Sequence, residues 1–227
     1  MKTIISVIMF LLMTTLSYSN DIYVTQSGNA LDLDITQDGD NNTIGNSTTA
    51  SASTGATTIL DIDQVGDSNV IKYQINGATY TGSIDLTGNS NDVDLNCDSG
   101  NNNSSCGTVT ANITWTGSSQ NIDLDIGETA SAAGSTVNIT GASGSDSNTI
   151  AATVDGTSAI LTLTVNGDTN NYLIDIDGNG DSIGHTLIHA HTGGIADVDI
   201  VQSGTNDNMI NLTTSGDNAD IDISQTD

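Results

Sequence analysis

Apolar and polar residues alternate along most of this chain, and the alternation is clearest just after residue 58. Leu60, Ile62 and Gln64 fall on one side of an extended segment, and the aspartates between them fall on the other. A period of two residues is typical of a β-strand. The pattern therefore predicts a strand with one face turned inward and one acidic face turned to solvent.

A turn and a second strand follow directly. Gly66 and Ser68 are residue types that tolerate turn conformations. After them, Asn69, Ile71 and Tyr73 fall on one side of a second extended segment. The two segments and the turn predict a strand-turn-strand unit.

This unit repeats along the chain. The spacing of Gly, two residues, Asn, one residue and a large apolar residue recurs, and several glycines lie eleven residues apart. Two such steps give a repeat of about 22 residues, a period that indicates a solenoid. We therefore predict an all-β fold, a β-solenoid of stacked strand-turn-strand repeats whose narrow interior needs few large side chains. The predicted turn glycines are Gly28, Gly39, Gly66, Gly77, Gly88, Gly167 and Gly178.

Several amide side chains share the phase of the apolar residues, not that of the aspartates. A buried amide needs hydrogen-bond partners. Stacked coils would supply them, because an amide can bond the same amide in the coil above and below. We predict a ladder of inward-facing amides formed by Gln26, Gln37, Asn42, Gln64, Asn69, Asn91, Asn170 and Gln202.

The order Gln, one residue, Gly, two residues, Asn, one residue, aliphatic resembles the core of the curlin repeat, the unit of the major curli fibre subunit of bacterial biofilms. The resemblance implies one solenoid coil per repeat, Gln and Asn ladders, and subunits joined end to end as a functional amyloid. The Ser that this family has six positions before the Gln is absent, and Leu31, Thr58 and Ala196 stand there instead. The matching positions are Gln37, Gly39, Asn42 and Ile44, then Gln64, Gly66, Asn69 and Ile71.

The first residues have the pattern of a secretory signal peptide. Lys2 precedes an apolar run, and Ser17 and Ser19 are small residues at the positions that a signal peptidase reads. The run is too short to favour a membrane span. We therefore expect residues 1–19 to be a signal peptide, residues 20–227 to be the solenoid domain, and the protein to be secreted to the extracellular space or cell surface without membrane insertion.

The charge of the chain restricts its partners. It carries 28 acidic and two basic residues, for a net charge of −26. Lys2 lies in the predicted signal peptide, which leaves Lys72 as the one strongly basic residue. Nothing could neutralise phosphates, so nucleic acid is excluded as a partner, and anionic membranes and glycans are disfavoured. The chain has no proline, which keeps every backbone N–H available for strand pairing.

Two cysteines and a Ser/Thr-rich run mark expected loops. Cys97 and Cys106 bracket a polar segment, and in a secreted chain they predict a disulfide that closes a surface loop, with free thiols or metal ligation as the alternatives. Gly45–Thr58 is rich in Ser, Thr and Ala and predicts a lengthened loop.

Two sets of residues are candidates for metal binding. The spacing of Asp175, Asp177 and Asp181 resembles the start of a calcium loop. Thr186 stands where such a loop has its closing Glu. We therefore prefer the interpretation that these are outward aspartates running into a turn over that of a weak calcium site. A surface or loop role is preferred over metal ligation for three histidines that share strand phase, His185, His189 and His191. Apart from this calcium alternative, no cofactor is predicted.

The sequence gives little support for catalysis. No ordered nucleophile motif is present, and paired aspartates recur on nearly every arm, which marks architecture and not a site. We expect a structural, curli-like extracellular fibre subunit for matrix, biofilm or adhesion that associates end to end, with an unknown secretion or nucleation partner. The alternative is a monomeric solenoid that acts as an adhesin or binds ice through Thr-x-Thr arms such as Thr114 and Thr116.

Overall fold

The protein is an all-β solenoid in its computed structural model. The structure describes residues 21–39, 41–45, 50–66, 68–97, 106–127, 134–142, 144–156, 158–177, 185–204 and 208–226, and these residues contain no helix. The predicted fold is confirmed. The strands are β1 Asp21–Ile22, β2 Thr25–Ser27, β3 Ala30–Asp38, β4 Thr43–Ile44, β5 Ser51–Val65, β6 Val70–Thr87, β7 Asp92–Asn96, β8 Thr108–Thr116, β9 Asn121–Ile126, β10 Gly134–Gly141, β11 Thr149–Val154, β12 Ala159–Asn166, β13 Asn170–Asp177, β14 Thr186–Thr192, β15 Ala196–Ser203, β16 Met209–Ser215 and β17 Ala219–Thr226.

Successive coils pair in parallel, which builds two stacks of strands. The first stack contains β3, the second half of β5, the second half of β6, β8, β10, β12, β14 and β16. The second contains β1, β4, the first half of β6, β7, β9, β11, β13, β15 and β17, with β2 beside the first half of β5. Each coil contributes to both stacks.

The coil length varies along the solenoid. Ser51 pairs with Tyr73, a step of 22 residues, as the repeat spacing predicts. Thr79 pairs with Thr108, a step of 29 residues. The register is kept across these different steps because the extra residues lie in the connections between strands.

The inward side chains of both stacks form one continuous core. Identical or similar residues lie above one another, such as Ile62, Ile84 and Ile113 on neighbouring strands. A large side chain in one coil is matched by a small residue in the next. Trp115 lies beside Gly141, and a Cβ on that glycine would overlap the indole. Matching of side-chain size from coil to coil fills the narrow interior.

The predicted loop over Gly45–Thr58 is wrong in its second half. β5 begins at Ser51, and small hydroxyl side chains take the inward positions there. Val24 N donates to Ser51 Oγ at 3.0 Å, and Ser53 Oγ lies 3.1 Å from Thr58 Oγ1. Each of these hydroxyls has a partner, which allows a polar segment to continue the strand.

The turn predicted at Gly77 is also wrong. Gly77 lies inside β6, where the chain bends from one stack to the other without leaving the strand. It stacks directly on Gly55 of the preceding coil, and a Cβ there would overlap the carbonyl oxygen of Gly55. Glycine is needed here for close approach of two coils and not for a positive φ.

Candidate functional site

An asparagine at each short corner ties successive coils together. Asn69 is 1% exposed, and its Nδ2 donates to Gly66 O at 2.8 Å within its own turn. Its Oδ1 accepts from Asn42 N at 3.1 Å, and its own N–H donates to Asn91 Oδ1 at 2.9 Å. The predicted inward position is therefore observed, but the ladder runs from side chain to backbone. The expected amide-to-amide stacking does not occur at Asn42, Asn69 and Asn91, but it does occur at Asn170, whose Oδ1 accepts from Asn148 Nδ2 at 3.0 Å.

The same type of corner bond recurs at two residues that the sequence reasoning missed, after an interruption at the Gln120 side chain, whose Oε1 has no partner. Gln120 N donates to Asn148 Oδ1 at 2.9 Å, and Asn148 N donates to Asn170 Oδ1 at 3.1 Å. The Gly-to-Asn spacing would have identified them had it allowed Gln120 to replace Asn and Ser145 to replace Gly. With Asn42, Asn69 and Asn91, these residues form what we call the asparagine corner.

The turn before each corner asparagine has a fixed backbone shape. Ser68, Ser90 and Ser119 have φ values of 65°, 62° and 61°, although none of them is glycine. The turn glycines Gly39, Gly66 and Gly88 also have positive φ, at 125°, 137° and 139°. Gly28 has φ of 157°, and Gly178 lies outside the described residues.

The predicted glutamine ladder is short. Gln64 Nε2 donates to Gln37 Oε1 at 2.6 Å, and both side chains are buried. Leu86 takes the same position in the next coil and ends the ladder. A second pair occurs near the C-terminal end, where Gln225 Nε2 donates to Gln202 Oε1 at 3.1 Å.

Gln26 does not join an amide ladder within the chain. Its neighbour in register is Ser53, and its Nε2 donates to Ala30 O at 3.2 Å. Gln26 is partly buried at the first coil of the second stack.

The three histidines are buried, so the predicted surface role is wrong; His189 and His191 lie within β14, and His185 directly precedes it. His189 is fully buried, and neither of its ring nitrogens has a hydrogen-bond partner. The Tyr172 ring lies edge-on to it, with 4.6 Å between ring centroids, and Tyr172 Oη lies 3.0 Å from His191 Nδ1. His185 Nδ1 accepts from Ala159 N. We call His189, His191 and Tyr172 the histidine cluster.

Burial controls the ionisation of this cluster. It lowers the pKa of His189 to about 4, with a smaller contribution from neighbouring His191. Burial also lowers the pKa of His191, although the charge of Asp168 acts in the opposite direction. Both rings are therefore neutral at pH 7. Within the described ranges, no three His, Cys, Asp or Glu residues are grouped to hold a metal ion.

The predicted disulfide is present. Cys97 and Cys106 are bonded to each other, with 5.7 Å between their Cα atoms, and both are buried at the edge of the core.

Asp175 lies on the outer face of β13. Asp181 and the side chain of Asp177 lie outside what the structure describes, so the calcium site stays a prediction.

The outward aspartates form shorter rows than continuous stacking would give. Asp34 pairs with Asp61, but Ser83 follows in the next coil and donates to Asp61 Oδ1 at 2.9 Å. Asn121 similarly donates to Asp92 Oδ1 at 2.8 Å. Neutral donors thus interrupt the carboxylate rows, which limits the repulsion between coils.

Lys72 is partly buried between two carboxylates. Its Nζ lies 2.9 Å from Asp92 and 3.4 Å from Asp94. Partial burial lowers its pKa, but the hydrogen bond to Asp92 and both negative charges outweigh this effect and raise it. Burial and the nearby charge of Asp94 raise the pKa of Asp123. The lysine locally offsets a cluster of negative charges.

The inward-facing apolar residues that the core covers incompletely lie at the two ends of the solenoid. Five residues pack against the core but stay partly exposed, and all lie on end coils: Ile22, Val24 and Leu33 at the first coils, and Ile210 and Leu212 at the last. On β17, Ile221 is 36% exposed and Ile223 is 49% exposed. In the described part of the chain, β17 pairs with β15 and has no strand on its other side. These two ends are the candidate functional site.

Comparison with known proteins gives no assignment. No protein-family model matches the chain, and no curated protein or solved structure matches it either. The resemblance to curlin repeats therefore stays a prediction. The described residues also contain no helix that could cross a membrane.

Proposed function

We propose that this protein is the structural subunit of an extracellular fibre and that it assembles end to end. The observation that carries the proposal is the chemical match between the two ends of the solenoid. Residues that pair with one another on successive strands of a stack form what we call a column. They occupy the same lateral position in every coil, because the strands pair in register. A second copy placed after β17 would therefore meet the first copy column by column.

The apolar columns match across such a junction. Ile221 belongs to the column of Val198 and Tyr172, which begins at Ile22 and Ile44. Joining the ends would place Ile221 against Ile22 of the next copy and Ile223 against Val24. In the first stack, Leu212 would meet Ile35 by the same register. The partly exposed residues of both ends would then be buried, which supplies the hydrophobic driving force.

A polar column matches as well. The Gln225 amide donates to Gln202 Oε1 and to Asn208 O, so its N–H groups are directed to its own coils. Its carbonyl oxygen is the atom that a following coil would bond. Gln26 of the next copy lies in the same column and has an Nε2 donor, as Gln64 has toward Gln37. The junction would extend the glutamine pair of the last coils by one step.

Charge opposes this assembly at low salt. Asp197 and Asp220 already pair in register on the outer face, and Asp21 of the next copy would be the next residue along that face. Neighbouring strands lie about 4.8 Å apart, well within a Debye length of roughly 8 Å at physiological ionic strength. We expect monomers at low salt, and filaments when salt screens the carboxylates or calcium bridges them.

The test uses two double variants with the same added charge. Ile221→Asp with Ile223→Asp places carboxylates inside the junction, whereas Ser224→Asp with Thr226→Asp places them on the outer side of the same strand. Light scattering and negative-stain microscopy across a salt and calcium series should show filaments for the wild type and the outer variant only. A wild-type protein that stays monomeric throughout would contradict the proposal and favour the monomeric adhesin.

A further inference from the structure

The two outer surfaces of the solenoid differ in charge over its second half, whereas the earlier strands of the first stack carry outward aspartates such as Asp34, Asp61 and Asp85. From β8 onward, the outward side chains of the first stack, on β8, β10, β12, β14 and β16, include no charged residue. Most of them are threonine or asparagine. We call this surface the neutral face. The second stack carries aspartates over the same length, among them Asp123, Asp125, Asp197, Asp199, Asp220 and Asp222.

The neutral face is regular along the solenoid axis. Thr114, Thr140 and Thr164 stack in one column, and Asn138 Nδ2 donates to Asn112 Oδ1 at 2.9 Å in the column beside it. Adjacent strands keep these side chains at a spacing of about 4.8 Å. A second surface with the same repeat can therefore meet it at every strand.

An apolar patch lies on the same face. Ile160, Ile188 and Met209 are 39%, 37% and 49% exposed. They lie on three consecutive strands of the first stack. Ile160 and Met209 both pair with Thr186, and Ile188 lies two residues farther along the strand between them, so it is a diagonal neighbour of both. Leu173 and Val201 on the second stack are similarly exposed, but they lie among aspartates. On the neutral face no charge opposes the burial of the aliphatic residues, which favours this face as an interaction site.

We propose that the neutral face is a lateral interface through which two copies of this chain pair side by side. With a net charge of −26, two copies repel wherever their acidic surfaces meet. Pairing through the neutral face keeps the second-stack aspartates of both copies on the outside. Opposed strand layers lie about 10 Å apart, so these carboxylates are separated from the interface by more than a Debye length of roughly 8 Å.

The area of the neutral face suits a second copy. Five strands at about 4.8 Å give a height of about 24 Å, and seven or eight residues at about 3.3 Å give a width of about 25 Å. The footprint is roughly 600 Å² on each copy, or roughly 1,200 Å² in total, at the lower end of specific interfaces. Lateral pairing of monomers is therefore weak, whereas pairing along a filament would repeat the contact in every subunit.

The pairing can be tested separately from end-to-end assembly. The Ile221→Asp, Ile223→Asp variant blocks the end, and sedimentation velocity of this protein over a concentration series reports lateral association alone. Adding Thr136→Asp and Ile188→Asp charges the neutral face. The matched control adds Thr149→Asp and Val201→Asp, again one threonine and one aliphatic residue, on the second stack. Circular dichroism checks that each variant keeps its β structure.

The expected result is a monomer-dimer equilibrium for the end-blocked protein and its second-stack control, with a dissociation constant raised at least tenfold by the neutral-face substitutions. Should that variant lose its β spectrum, Asn166→Asp with Asn211→Asp charges the same face without changing side-chain size. An end-blocked protein that stays monomeric at every concentration, or equal dimerisation of face and control variants, would overturn the interface. Dimers without wild-type filaments would instead support the interface and refute the fibre.

Discussion

The asparagine corner and the histidine cluster both bury polar side chains, but Asn69 at the corner has hydrogen-bond partners and His189 in the cluster has none. Asn69 makes one bond within its own turn and two to neighbouring coils. His189 is buried just as completely and has no partner on either ring nitrogen. The corner side chains are thus part of the bonding between coils, whereas His189 is tolerated only while it is neutral.

The difference follows from what each side chain can reach. A corner asparagine lies beside turn carbonyls and the N–H group of the preceding coil, which the strand pairing leaves available. His189 lies in a column between Leu163 and Leu212, where the neighbouring side chains are apolar. A buried polar residue stabilises this fold where it has partners, as Asn69 does, and weakens it where it has none, as at His189.

The largest effect should come from breaking the corner. Asn69→Ala leaves Asn42 N–H, which is buried, and Gly66 C=O, which is partly buried, without their side-chain partners. At about 1 to 3 kcal/mol for each group, we expect the free energy of unfolding to fall by about 4 kcal/mol. Urea denaturation measures this change. Gln74→Ala, at an exposed position of the following strand, is the control and should cost less than about 0.5 kcal/mol.

The second effect is a pH dependence set by the histidine cluster. His189 has a pKa of about 4 in the folded protein and about 6.5 when unfolded, so between these values the unfolded chain binds a proton that the folded chain does not. The free energy of unfolding should therefore be highest above pH 6.5 and fall by about 3 kcal/mol as the pH drops to 4. His191, whose pKa is also lowered, acts in the same direction.

Urea denaturation at pH 7, 5 and 4 tests this dependence. His189→Leu should flatten most of the decrease, because leucine fits the neighbouring column and does not titrate. A decrease of equal size in the variant would show that other groups, and not His189, carry the pH dependence.

The smallest effect concerns the short glutamine ladder. Gln64→Leu removes the bond to Gln37 but matches Leu86 in the next coil, so we expect a loss of only about 1 kcal/mol. Thermal unfolding compared with wild type measures it. A loss as large as that of Asn69→Ala would mean that the amide pair, and not the corner, holds the coils together.

The sequence predicted the strands well because alternation directly reports which side faces the core. It located Asn42, Asn69 and Asn91 for the same reason, but it could not show that their partners are backbone groups, since this depends on the offset between coils. The burial of the histidines was missed because their shared strand phase was interpreted only as a possible metal set and not as a sign that they face the core. Phase was the better guide: His189 alternates with outward Ile188 and Ala190.

Gly77 shows a different limit of sequence reasoning. The regular eleven-residue spacing of the glycines predicted a turn at Gly77. Glycine is needed at this position because its backbone closely contacts Gly55 of the preceding coil. Such contacts join residues 22 positions apart and leave no local signal. The match between the apolar residues of the two ends was likewise visible only once the pairing register was known.

The most direct test of end-to-end assembly is a cross-link across the proposed junction. Residues paired on neighbouring strands lie about 4.8 Å apart, within the Cα range of a disulfide. In the Gln26→Cys, Gln225→Cys variant, oxidation of filaments should give a ladder of covalent oligomers on non-reducing gels. The mismatched Gln26→Cys, Ile221→Cys variant, offset by four residues along the strand, should give none. Equal cross-linking of both variants, or none in the matched one, would contradict the column-matched junction.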